Sequence, residues 1–321
     1  MIKLLLICVL IILIIIFTRY TLLYIPKNNS IEFLSAIKGQ KYLLNDDYFS
    51  KFNKNDIISR NLKESKSEIK IFYSQNILSF NNKDKNSINW IINLLKSKLG
   101  NIIFIKKWGF IKVTNKIENG YPHTRNLYIV LSESILNNIN DLYNNNSIYM
   151  ALKNIGSLFI HENVHVYQKM YPKIFENLYT QYWNFTKVNF IENSNKYINN
   201  NRTNPDGLDV NWIFNNEIWI LSLYNDDKKM NNVRYVGIYL DRLNNGLYSV
   251  PKYPKMIDIL NISNFKNFFN IEHNLYHPNE ICAEIFSIFY LFKMGLSKFN
   301  LEIEAFKKFS LWYYNHKSYF E

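Results

Sequence analysis

The sequence predicts an α+β fold: a small mixed sheet with one early helix, then a long helix, then a mainly helical C-terminal part carrying an antiparallel meander, behind an N-terminal membrane-spanning helix. Three observations predict it. Leu4 to Phe17 is an unbroken apolar run that resumes in "TLLYI" to Ile25. Several strand-like runs between 67 and 133 precede a proline-free stretch over 147–170. Downstream, "EIWILSLY", "VRYVGIYLDRL" and "LYSVPKY" follow one another, punctuated by "NDDKKMNN" and "NNG". The division that follows is a transmembrane signal anchor over 1–25, an N-terminal α+β subdomain over 26–170 and a C-terminal subdomain over 171–321.

The N-terminal run is long enough to cross a bilayer, which takes about 20 apolar residues. No small-x-small cleavage pattern follows it, and Arg19 can snorkel to an interface, so an uncleaved anchor is expected, with a lipid bilayer as partner through residues 4–25 and a cleaved signal peptide as the competing reading. The side of the membrane is left open. Lys3 lies before the run and Arg19, Lys27, Lys38 and Lys41 follow it, and a literal count of positive charge puts the C-terminal domain inside.

After the anchor, "SEIKIFYS" (67–74) alternates as a strand does, and "NSINWIINLLKSKL" (86–99) places apolar residues at helical spacing behind a serine cap. "NIIFIKKW", "GFIKVT" and "NLYIVLSE" read as further strands. Residues 147–170 form a helix of about six turns that stops before Pro172, where a second helix begins through "KIFENLYTQYWNF". Asn245 and Gly246 form the tight turn of a three-strand meander. Glu192 to Asp206 is Asn-rich and loop-prone, and "NPDG" (204–207) reads as a turn, a site only if the fold brings it near the others.

The formal charge of +12 does not imply nucleic acid, because the lysines are scattered singly and in pairs among Asn and Ile rather than clustered. Cys8 and Cys282 are the only cysteines, which excludes a disulfide framework and a cysteine zinc site.

Chemistry concentrates in "LFIHENVHVYQ" (158–168). On a helix, residues four apart lie one turn above each other, so His161 and His165 can offer two imidazoles to one ion. Glu162 sits about 100° further round, where it can act as general base on a water held by that ion. With six His and 15 Glu in 321 residues, chance produces this pattern roughly 0.005 times per such chain. Its flanks are uncharged, and burying these groups without partners would be costly.

A catalytic zinc takes three protein ligands and keeps a fourth position open. In "HPNEICAEIF" (277–286), Glu280 and Glu284 lie one turn apart. Glu280 can ligate, Glu284 can accept the spare N–H of a ligating histidine, and Ala283 lets this helix approach the first. His277 and His273 are the rival ligands.

"HENVH" followed by "NEICAEIF" resembles the gluzincin branch of the zinc metallopeptidases, in which a glutamate from a second helix completes HExxH. The resemblance implies a zincin-like fold, one Zn2+ per chain held by His161, His165 and Glu280, an outer carboxylate at Glu284, and peptide or protein substrates. Glu162 would take the proton of the attacking water and deliver it to the leaving amine. From sequence position, Tyr276 and His277, just ahead of Glu280, are the nearest candidates to stabilise the oxyanion, ahead of His273, Tyr248 and His316. "YPHTRNLYIVLSE" stands where such enzymes carry a substrate-binding edge strand, so a peptide would add to it with His123 and Arg125 at the entrance, Arg125 meeting a substrate carboxylate. The 114 residues between His165 and Glu280 exceed those of compact gluzincins, which makes the meander an insertion. "PHTRNLYIVLSE" with "IHENVHVYQ" is also similar to uncharacterised HExxH proteins of large DNA viruses. That likeness implies no activity, and would set the chain at a viral or host-derived membrane. The competing functions are a catalytically silent membrane or binding protein on the same fold, and a basic nucleic-acid binder.

Overall fold

The computed structural model describes residues 31–63, 65–100 and 108–320. The expected anchor over 1–25 and the strand "NIIFIKK" lie outside these residues. Among the described residues no helix is long and apolar enough to cross a membrane.

The first part builds a mixed five-stranded sheet. Its strands are β1 (Ile31–Phe33), β2 (Ile77–Leu78), β3 (Trp108–Val113), β4 (His123–Arg125) and β5 (Tyr128–Ser132). β3 runs parallel to β1 and β5 and antiparallel to β2, and β4 closes the far edge antiparallel to β5. Side chains alternate across it as a pleat requires: Phe110, Ile129 and Leu131 join the main core, while Ile111, Val113 and Val130 face the opposite cluster.

Helices α1 (Ala36–Leu43), α2 (Lys54–Ser59) and α3 (Lys66–Gln75) are contributed by the N-terminal stretch, followed by α4 (Asn82–Leu99). Here "SEIKIFYS" is corrected from strand to helix α3. Ser65 caps it by accepting from the Glu68 N–H, and Ile69 and Tyr73, four apart, bury the same face. The cap of α4 is Asn81, with Asp84 completing a capping box, rather than the serine expected within the run.

After α5 (Glu133–Asn144) comes one long helical stretch: α6 (Ile148–Met150), a wider π turn over Ala151–Gly156, and α7 (Ser157–Met170). Gly156 lies close against α4, where a Cβ would stand 3.1 Å from Leu95. Next come α8 (Pro172–Asn177), a π turn over Leu178–Tyr182, β6 (Phe185–Lys187), β7 (Ile191–Glu192) and α9 (Asn195–Ile198).

The remaining strands are β8 (Trp212–Phe214), β9 (Ile218–Tyr224), β10 (Val233–Tyr239), β11 (Asp241–Arg242), β12 (Tyr248–Ser249) and β13 (Met256–Asp258). β9 and β10 pair as the meander requires, but β10's other neighbour is β13, giving the order β13-β10-β9-β8-β6. The expected third strand, β12, pairs instead with β11 and, in parallel, with β7. The C-terminal part therefore carries two sheets and is more mixed than mainly helical.

Three helices close the chain: α10 (Ser263–Phe269), α11 (Pro278–Lys293) and α12 (Glu304–Asn315). α11 packs along α7, and the Ser287 hydroxyl donates to the Ser157 carbonyl at 3.1 Å. Phe159 and Ile160 of α7 share one core with Cys282, Ala283 and Phe286 of α11, so the two parts are joined through the helices that carry the candidate ligands.

Candidate metal centre

α7 presents His161 and His165 on one face, their ring centroids 4.8 Å apart. α11 brings Glu280 against both. Its Oε2 lies 3.4 Å from His161 Nε2 and its Oε1 lies 3.5 Å from His165 Nε2. One donor atom from each of the three falls within 4.8 Å of the others.

The local network fixes which nitrogens point inward. Gln168 Nε2 donates to the Asn279 carbonyl at 2.9 Å and to Tyr179 Oη at 3.0 Å, which turns its Oε1 toward His165 Nδ1 at 2.7 Å. Nδ1 then carries the proton and Nε2 offers its lone pair toward Glu280, the tautomer that a ligating histidine needs. Glu284 Oε2 stands 3.9 Å from His161 Nδ1 and accepts from Asn274 Nδ2 at 3.0 Å. It lies on the side expected of the outer carboxylate, beyond direct hydrogen-bond range.

The charges agree with a cation at this point. Burial alone lowers the His161 pKa, but Glu280, Glu162 and Glu284 raise it to about 9. Burial opposes ionisation of Glu280, yet the two histidines beside it hold its pKa down to about 2. Negative groups so arranged favour a positive charge between the imidazoles, whether a proton or a metal. Nitrogen and carboxylate donors in this ratio are a set that zinc accepts.

Glu162 is buried on the adjoining face, and Thr124 Oγ1 reaches both its carbonyl, at 2.9 Å, and its Oε2, at 3.0 Å. Burial and the neighbouring Asp206 push its pKa up to about 8. Asp206 accepts from the Thr124 N–H and from Lys169 Nζ, and it shares a second close donor group with Glu162 and His165. A cleft of about 560 Å³ opens over His161, Glu162, Glu280 and Tyr276.

Some expected residues stand elsewhere. His277 caps α11: its Nδ1 accepts from the Asn279 N–H at 3.1 Å and its Nε2 donates to the Asp209 carbonyl at 2.6 Å. Both nitrogens are engaged, so it is neither oxyanion donor nor rival ligand, and His273 is exposed outside the donor group. Arg125 is buried in a fork against Asp46 at 2.5 Å, with its guanidinium 4.4 Å from the Tyr48 ring centroid, so it meets no substrate carboxylate. His123 does line the cleft, its Nδ1 bonded to the Tyr121 carbonyl at 3.1 Å. Tyr276 lines it too: its hydroxyl accepts from Asn204 Nδ2 at 2.5 Å, which leaves the phenolic proton to donate. The β4 edge is closed at Thr124, whose N–H donates to Asp206 and whose carbonyl accepts from Lys169 Nζ at 2.5 Å, so a peptide cannot pair there.

Sequence reasoning missed Thr124 and Gln168, and named Asn204 only conditionally, as part of the "NPDG" turn. Asn204 bridges Tyr276 to Glu280, with its Nδ2 2.8 Å from Glu280 Oε1. "NPDG" is the turn expected, closed by the Gly207 N–H to the Asn204 carbonyl at 3.2 Å, and the fold carries it to the centre of the site. Thr203 anchors it from behind, its N–H and hydroxyl both bonding Asp56 of α2 at 3.0 and 2.7 Å. Comparison with protein-family models, with curated proteins and with solved structures returns no match.

Proposed function

We propose that this protein is a zinc-dependent metallopeptidase of zincin-like fold that hydrolyses peptide bonds with Glu162 as general base. One observation carries the proposal: His161, His165 and Glu280, from two packed helices, offer donor atoms within 4.8 Å of one another, and Glu162 borders the same cleft. The order of sheet, edge strand, HExxH helix and later glutamate helix supports a gluzincin-like arrangement. The long separation of the third ligand is accounted for by the sheets inserted between α8 and α11.

When bound, zinc would lower the pKa of water toward neutrality and polarise a substrate carbonyl. Glu162, oriented by the Thr124 hydroxyl, accepts the proton of the attacking water and returns it to the departing amine. Tyr276 donates its phenolic proton in a hydrogen bond to the developing oxyanion, and Asn204 holds that hydroxyl in place. Glu280 and the two imidazoles would hold the ion, while Gln168 keeps His165 in the ligating tautomer. The setting we propose is single-pass attachment to a membrane through residues 4–25.

The closed β4 edge favours a second reading, a protein that holds zinc without turnover. Glu162→Gln separates the two. If the peptidase reading is right, the parent cleaves a peptide library and the variant, with its zinc retained, does not. Cleavage at the parental rate by the zinc-loaded variant would contradict the mechanism.

A further inference from the structure

The charged groups around the cleft are mostly spent on one another. Arg60 is paired with Asp56 at 3.1 Å and with Glu118 at 2.9 Å, and Asp206 is paired with Lys169 at 2.9 Å. Of the two arginines that line the cleft, Arg202 is the one without such a partner. It lines the cleft, yet among the described residues no carboxylate pairs with it. Its one side-chain hydrogen bond there is a long one, from Nη1 to the Met230 carbonyl at 3.4 Å. A guanidinium has five N–H donors in a planar fork, so most of its donor capacity is left for a ligand.

Its position is nevertheless fixed. The guanidinium carbon lies 5.2 Å from the Tyr276 ring centroid, and Tyr276 stacks on Tyr235 with centroids 4.8 Å apart. The Tyr276 hydroxyl meets Asn204, and Asn204 meets Glu280. Three contacts thus lead from Arg202 to the carboxylate of the candidate metal centre. A half-buried guanidinium held against an aromatic ring, with most of its N–H donors facing the cleft rather than a protein carboxylate, is placed to bind a ligand there in exchange for water. The group that matches a guanidinium fork in shape and charge is a carboxylate, bound through two parallel hydrogen bonds.

We infer that Arg202 is the carboxylate-recognition residue of this cleft, and that the ligand is a peptide bearing a carboxylate at its C-terminal end or on an Asp or Glu side chain. That the ligand is a peptide rests on the function proposed above; the recognition of a carboxylate rests on Arg202 itself. With Arg125 engaged by Asp46, Arg202 takes the role that the sequence suggested for Arg125.

The test is capture rather than turnover. Full-length Glu162→Gln protein, zinc-loaded and immobilised, is exposed to a randomised peptide pool supplied in equal amounts as C-terminal acids and C-terminal amides, and the retained species are read by mass spectrometry. The expected result is retention of acids over amides, or of Asp- and Glu-containing peptides over their Asn and Gln counterparts, by about tenfold, the scale of a charge-assisted pair. The first pattern assigns the chain end and the second the side chain. Adding Arg202→Gln brings the ratio to one. Arg202→Lys keeps the charge and loses the fork, so the ratio falls severalfold, and this variant serves if Arg202→Gln does not fold. Equal retention of all forms, no retention of any peptide, or a preference that survives Arg202→Gln overturns the inference. Failure of the peptidase reading shows separately, as absence of hydrolysis by the parent, and leaves the capture ratio intact.

Discussion

Gln168 Oε1 lies 2.7 Å from His165 Nδ1, and the same Gln168 amide ties α7 to α11 through the Asn279 carbonyl. One side chain therefore sets both the tautomer of a proposed ligand and the spacing of the two helices that supply the ligands. Gln168→Leu removes the acceptor while keeping the volume near constant. It is expected to weaken zinc binding by about ten- to a hundredfold, the usual effect of losing a ligand's outer partner. Competition with a chelating dye measures it, and an unchanged affinity would separate Gln168 from the site.

Acid sensitivity should trace to Glu118. This carboxylate is fully buried against Arg60 and Tyr73, in a residue with φ of +47° that turns it inward. Burial opposes its ionisation, but Arg60 and His123 hold its pKa at about 2. A group whose pKa is depressed by folding contributes stability that is fully present above its unfolded value, near 4.5, and is lost as pH falls through that window toward 2. The contribution is on the order of 3 kcal/mol. Urea unfolding of Glu118→Gln should show a lower midpoint at pH 7 and a smaller further loss between pH 5 and 3 than the parent. Parallel pH profiles would remove Glu118 from the explanation.

The last residue of the turn at the site, Gly207, has no room for a side chain. A Cβ on Gly207 would meet the His277 ring at 2.8 Å, and that ring is clamped at both nitrogens. Gly207→Ala should cost about 1–3 kcal/mol as an overpacked contact and, by displacing Asn204 and Asp206, should weaken zinc binding. Gly246→Ala is the control: it meets nothing within 4 Å, and its φ of +81° carries only a backbone cost, of about 1 kcal/mol. Thermal melts with zinc titrations distinguish the pair, and equal zinc affinity in both variants would contradict the role given to the turn.

What was legible in the sequence followed periodicity. His161 and His165 at i and i+4, and Glu280 with Glu284, project from helical faces whatever the surroundings, so their positions could be read from spacing alone. Residues 67–74 form a helix rather than a strand because alternation over eight residues also fits a helix that buries Ile69 and Tyr73, and the Ser65–Glu68 cap is the local signal that distinguishes the two. β12 was misplaced because its partner β7 lies 57 positions earlier, a pairing no local pattern encodes. Asn204, Asp206 and Arg202 reach the cleft on a loop pinned by Asp56 and Thr124, contacts that exist only once both parts of the chain have packed together.

The most direct test of the central claim is the zinc content of the purified full-length protein beside its Glu280→Ala variant. About one zinc per parent chain and markedly less in the variant, with both folded by circular dichroism, is the result the proposed His161, His165 and Glu280 site predicts. A folded parent that binds no zinc, or a variant that holds as much as the parent, would contradict it.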